Sequence, residues 1–343
     1  MIVGVDDGLV DAVLASPLGV SWLAVLEAGP TEGQGWSTSS PTSDPASVAA
    51  AVDLIADMSF GTLLDAAVYA AGIESGPWIG DAPAKIAAAY RQAEQRASIA
   101  EAVAERFANQ LGAPLERTAQ QWWTDGNPGV ETLAPVFQRF DDVYGAGEFT
   151  WAGLWTATDP PPEVLLQMVG AWEIETGPVE RWWFPVRPEA RVFEIHRPAD
   201  WAQLVTTYPH PAKPHPGWEL PGVNQHRHLI APLLTASEQR AARTSVGRHL
   251  VPDWRSVAAD YDAIHLSWAG FITAEGCIID LDDGDIAMLR YWFSERTLWL
   301  ADAFGDPRPA PDPQINLATG NHRPSLPPRS TINREAIFRL LGR

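Results

Sequence analysis

Near residue 179 the apolar residues change from helical spacing to strand spacing, and this change limits the possible folds more than any other feature of the chain. Before it, residues 82–111 are the clearest helical stretch. Ile86, Tyr90, Ala93, Ala97, Ala100, Val103 or Ala104, Phe107 and Leu111 recur at three- and four-residue steps. Asp81 supplies a cap, Pro83 sits in the first turn, and Gly112 is a stop signal. Segment 8–28 is apolar, with Pro17 expected to break or kink it. A further helix is expected behind Asp44 and Pro45, interrupted near Gly61. Segments 129–144 and 162–176 read as two more amphipathic helices, and the Gly-, Trp- and Pro-rich stretch between them as a turn with Trp151 and Trp155 pinned on the core.

After the change, VERWWFPV, ARVFEIH, AIHLSWAGFIT, CIIDL, AMLRYWF and TLWLAD read as strands, with LDDGD as a turn. PADWAQLVTTY, ASEQRAARTSVGRHL and VPDWRSVAADY read as helices, and 209–223 as a loop rich in Pro and His. The Pro-rich segment 304–331 lacks periodicity and is expected to be an extended arm, wrapping the domain or reaching a partner, with a short helix at 332–341. The expected fold is therefore α+β: an acidic helical domain over 1–178, a strand-rich mixed α/β domain over 179–303, and the arm with its helix over 304–343.

The charge follows the same division. Of the formal net −19, residues 1–186 contribute almost all, with 25 acidic and 7 basic side chains. Nucleic-acid binding by that half is not expected, because phosphate neutralisation needs clustered Lys and Arg. An acidic face could dock a basic protein; otherwise its charge serves solubility. The chain has no unbroken apolar run long enough to span a membrane. Asp6 and Asp7 stand where a secretory leader would be basic, and one cysteine, Cys277, excludes an intramolecular disulfide. A cytoplasmic protein with a buried, inert thiol is expected. Oligomeric state is not legible.

Few motifs carry chemistry. The sequence holds no phosphate-binding loop, no dinucleotide fingerprint and no nucleophile elbow. All eight histidines fall between 196 and 322. His226 and His228, with His210 or His215, could form a three-histidine metal site and make the chain a metal-dependent hydrolase. A solvated His/Pro loop is the plainer reading, and no metal is expected. The candidate site lies instead at strand ends, where charge escapes the penalty of mid-strand burial. RVFEIHR ends in His196 and Arg197, DAIHLSWAGF contains Ser267, and Glu295 stands immediately before TLWL. Such a set suits chemistry on a dinucleotide. Arg197 could clamp a pyrophosphate and Glu295 hold a ribose hydroxyl and stabilise an oxocarbenium ion. Ser267 could orient that carboxylate, and Trp268 or Tyr291 could stack on nicotinamide.

This order resembles the ADP-ribosyltransferase family, whose motifs run Arg (or His), Ser-Thr-Ser (or Tyr), then Glu on successive strands. The resemblance covers about 190–302. It implies a strand-rich NAD-binding fold that transfers ADP-ribose, with Arg197, Ser267 and Glu295 in the family's roles, or His196, Tyr261 and Glu295 in its variant. The sequence departs from the pattern in three places: Trp-Ala follows Ser267, Phe293 stands two residues before Glu295, and Pro198 follows Arg197. The competing expectation is a non-catalytic interaction or immunity-type protein that uses the acidic face or the Pro-rich arm.

Overall fold

The computed structural model describes residues 6–31, 35–37, 43–74, 88–118, 120–124, 154–158, 164, 178–211, 248–281, 285–289, 292 and 294–316. Among the described residues, helices come first. α1 (Asp6–Ala15) and α2 (Pro17–Ala28) meet at 93°. Between them Ser16 caps α2, accepting from the Gly19 amide at 2.8 Å, and Pro17 fills the first turn, where a missing N–H is harmless. Gly29 closes α2 with φ 68°, a conformation that favours glycine. α3 (Pro45–Asp57) starts at the expected Asp44 cap, which forms a reciprocal box with Ser47, and α4 (Phe60–Glu74) follows.

α5 (Ala97–Leu111) buries Ile99, Ala100, Val103, Ala104, Phe107 and Leu111, the stripe legible in the sequence. The helix expected over 82–111 is interrupted: residues 88–91 are helical, a 3-10 turn follows at Glu94–Arg96, and 82–87 lie outside the described residues. Arg96 is turned fully inward there, and its guanidinium donates to Glu27 and to Gln92, both at 2.6 Å. A buried cation requires partners on these terms.

Among the described residues the strands form two sheets besides a small ribbon of β1 (Pro30–Thr31) and β2 (Gly35–Trp36). The main sheet contains β3 (Gln120–Thr124), β4 (Leu154–Thr158), β5 (Pro178–Phe184), β6 (Val192–Ile195), β9 (Ala263–Leu266), β12 (Arg296–Trp299) and β13 (Arg308–Asn316), in spatial order β13-β5-β3-β4-β12-β9-β6. Its pairings are antiparallel except for β6 with β9. The crossover between those two carries α6 (Pro198–Thr207), β7 (Pro209–Pro211), β8 (His249–Pro252) and α7 (Trp254–Asp260). The smaller sheet joins β7 and β8 to β10 (Ile278–Asp280) and β11 (Ile286–Met288), and α8 (Trp268–Ala274) follows β9 directly.

The fold is α+β, helical first and strand-rich later, but the two parts share one core. Two strands from before residue 178 enter the main sheet, so a boundary at 178 would divide it. The largest apolar cluster runs from Leu9 to Leu300, and the Ser16 hydroxyl donates to the Ile272 carbonyl at 2.7 Å, tying α2 to α8. Several readings of local structure are corrected. The stretch expected to be a turn holding Trp155 contains strand β4, the loop expected over 209–223 opens with β7, and the first two residues of VPDWRSVAADY belong to β8 rather than to the helix. AIHLSWAGFIT is a strand only to Leu266, because Ser267 then accepts from the Gly270 amide and starts α8. The beginning of the Pro-rich arm is strand β13, laid against β5. The segments 129–144 and 332–341, and all of 162–176 but the buried Val164, lie outside the described residues.

Successive side chains point to opposite faces of a strand. Ala157, Ile195, Ile264, Leu266 and Leu298 join the helices on one face. On the other, Val192, Ala263 and Trp299 form an aromatic cluster with Phe184, and Phe304 packs against both Phe184 and Trp299 at ring distances of 5.0 and 4.3 Å. That second face also carries the polar groups described next. Among the described residues no single helix is long and apolar enough to cross a membrane.

Candidate functional site

Strand register brings the sequence candidates to one end of the main sheet. Ile195 lies opposite Leu266, and Leu266 opposite Arg296. His196, Ser267 and Glu295 therefore stand one residue further on, at the same edge of three adjacent strands. The fit there is close: a Cβ on Gly270 would meet the Ile195 carbonyl oxygen at 2.2 Å, so α8 can leave β9 only with glycine at that place.

What Glu295 touches is neither Ser267 nor Arg197 but His265. Its Oε1 accepts from His265 Nε2 at 3.0 Å, and both its oxygens accept from the Thr158 amide, at 3.2 and 3.1 Å. The other imidazole nitrogen, Nδ1, meets Glu194 Oε2 at 2.5 Å, across the parallel β6–β9 pair where Glu194 and His265 are register partners. Glu194 Oε1 accepts from the Leu115 amide at 3.2 Å. With a carboxylate on each nitrogen, both nitrogens carry hydrogen and the ring is an imidazolium. His265 and Glu295 are buried, with side chains 2% and 3% exposed, while Glu194 reaches solvent at 27%.

His196 lies two residues beyond Glu194, on the same face of the strand end. Its Nε2 is 3.9 Å from the same Glu194 oxygen, and its side chain is one-third exposed. One carboxylate thus lies between two imidazoles of opposite character. Burial alone would discharge His265, but its hydrogen bonds to Glu194 and Glu295, with their charge, prevail and raise it to about 9. Burial is also the largest influence on His196, and there it prevails, holding that ring below its ordinary 6.5 despite Glu194. The Glu194 carboxyl is lowered, since burial is outweighed by His265, the Leu115 amide and His196. Environments that move neighbouring titratable groups apart are how proteins fix an acid and a base.

The other candidates have different work. Ser267, buried, caps α8 and donates to the Ile195 carbonyl at 3.2 Å. Trp268 is buried and forms a T-shaped pair with Phe271, with ring centroids 6.0 Å apart. Arg197 is 72% exposed, and its Nε donates to Asp200 at 3.2 Å. Tyr261 packs edge-on against Phe193, at 5.3 Å. Tyr291, Phe293, His215, His226 and His228 lie outside the described residues. Of the proposed metal set only His210 is described, on β7. No group of three His, Cys, Asp or Glu suited to a metal ion occurs among the described residues. Cys277 is partly buried, and burial raises its thiol to about 11, which makes it a poor nucleophile. A cavity of about 460 Å³ lined by Arg117, Thr118, Pro185, Val186, Pro188, Asp306 and Arg308 includes none of the Glu194–His265–Glu295 set.

Glu194 and His265 are the groups that sequence reasoning passes over. The signal was present: a Glu and a His sit inside otherwise apolar strands, VFEI and AIHL, where an unpaired charge is prohibitive. Such residues must find each other. Compared with known proteins, the chain matches no protein-family model, no curated sequence and no solved structure.

Proposed function

We propose that this protein is an enzyme of general acid–base chemistry, hydrolytic or group-transferring, with its reacting end at the carboxyl ends of β6 and β9. The observation that carries this reading is the Glu194 carboxylate held between the buried ring of His265 and the partly exposed ring of His196. His196 is the group a substrate can reach. As a neutral ring near Glu194 it can take a proton from water or a substrate hydroxyl and return it to a leaving group. Glu194 steadies the charge that then forms on His196. His265 and Glu295 are positioning residues: they fix the orientation of Glu194 and keep its charge from being lost on burial. In this reading Glu295 acts from behind the site, whereas the ADP-ribosyltransferase resemblance would have it touch the substrate.

The test is a screen of uncharged and cationic esters, amides and N-glycosides with the wild-type chain, His196→Asn and Glu194→Gln. His196→Asn is expected to keep its circular dichroism and lose about 10²–10⁴-fold in turnover of any substrate found. Equal turnover by wild type and His196→Asn would remove His196 from the chemistry and end the proposal.

A further inference from the structure

The cavity of about 460 Å³ stands where the chain leaves β5 and enters β13, beside the segment that leads into β3. Pockets for small molecules hold about 300–1,000 Å³, so its size suits one. Pro185, Val186 and Pro188 give it an apolar wall, and Arg117, Arg308 and Asp306 give it charge. Both arginines are held in place by the fold. The Arg117 carbonyl accepts from the Val186 amide at 2.7 Å. Its guanidinium donates from Nη1 to the Arg187 and Pro188 carbonyls at 3.3 and 3.4 Å, and from Nη2 to the Ala190 carbonyl at 3.1 Å. Arg308 is the register partner of Trp183, and its guanidinium carbon lies over that ring, 5.1 Å from the centroid.

Carbonyls and a ring hold these side chains without cancelling their charge. Arg187, Arg191 and Arg248 each pair with an aspartate, whereas among the described residues neither Arg117 nor Arg308 forms an ion pair. We infer that this cavity binds a small monocarboxylate, its headgroup on the two guanidiniums and its hydrocarbon part on the proline and valine wall. A guanidinium presents its N–H groups in a planar fork that matches a carboxylate. Two guanidiniums against the one carboxylate of Asp306 leave a single positive charge, which suits a monoanion better than the higher charge of a phosphate. The cavity includes none of the Glu194–His265–Glu295 set, so the inference does not rest on the acid–base reading.

The experiment is a calorimetric titration of the full chain with benzoate, benzamide and inorganic phosphate. Wild type is expected to bind benzoate saturably in the millimolar range and to ignore benzamide, which keeps the ring but lacks the charge. Arg308→Gln is expected to weaken benzoate by about tenfold or more, the worth of a charged hydrogen bond. Asp306→Asn removes the opposing charge and is expected to tighten benzoate about two- to fivefold. Both residues are exposed, so circular dichroism is expected to show both variants folded. Absence of saturable benzoate binding in wild type overturns the inference, as does unchanged affinity in Arg308→Gln or weakened affinity in Asp306→Asn. Benzamide bound as tightly as benzoate, or phosphate bound more tightly, overturns it too. The titration reads binding alone, so its failure is distinct from unchanged turnover in His196→Asn.

Discussion

His265 concentrates the energetic risk of this molecule in one side chain. Removing one member of a buried charged set strands the others, at a cost of about 3–5 kcal/mol. His265→Gln would leave Glu194 and Glu295 facing each other across the β9 strand with no cation between them. A loss of that size is expected in urea unfolding near neutral pH. The pH dependence follows from the direction of each shift. His265 is raised to about 9 from 6.5, so its contribution is complete below 6.5 and disappears as pH rises through 9. Glu194 is lowered from 4.5, so its contribution is complete above 4.5 and disappears as pH falls through its folded value. Both act together from about 4.5 to 6.5. Wild-type unfolding free energy is therefore expected to fall between pH 7 and 9, and His265→Gln to lack that decline. A wild-type curve flat across this range would mean that the ring is not an imidazolium at neutral pH.

At the scale of elements, two glycines in helices should respond in opposite directions. Gly8 in α1 has open space where a Cβ would go, so Gly8→Ala is expected to stabilise by about 0.5–1 kcal/mol through helix propensity. Gly270→Ala would drive α8 off the end of β6, and overpacking of this kind costs about 1–3 kcal/mol or more. Thermal unfolding of the two variants, with shifts of opposite sign, checks both. The contrast also marks what the sequence could and could not reveal. Caps and period are local, so Asp44 with Pro45, the break at Pro17 and the α5 stripe were legible. The turn of AIHLSWAGFIT from strand to helix depends on whether the Ser267 hydroxyl meets the Gly270 amide or a strand neighbour, and the apolar pattern of the segment suits either. The site was legible only in outline. His196, Ser267 and Glu295 do reach one sheet edge, but the partner of Glu295 is fixed by the parallel register of β6 with β9, joined by a crossover of more than sixty residues.

Across the whole molecule, the helices and the sheet are held by long-range contacts rather than by separate cores. The buried Glu27–Arg96 pair joins α2 to the turn before α5, and the Ser16–Ile272 bond joins the first helices to α8. A chain divided at 178 is therefore expected to yield two fragments that do not fold alone, with circular dichroism far below the sum expected from the intact protein. Native-like spectra from either fragment would argue for separable domains. The acidic first part is in this way a structural layer over the sheet, whatever else its charge attracts.

Strand β13 closes one side of the main sheet, and its sequence, Arg-Pro-Ala-Pro-Asp-Pro, places proline at 309, 311 and 313. A proline nitrogen has no hydrogen to give, so the strand lacks an amide donor at these three positions. Pairing between two copies there is disfavoured by the missing donors. Replacing those prolines with threonine would restore three amide donors to the strand, and edge-to-edge association measured by light scattering is then expected to rise.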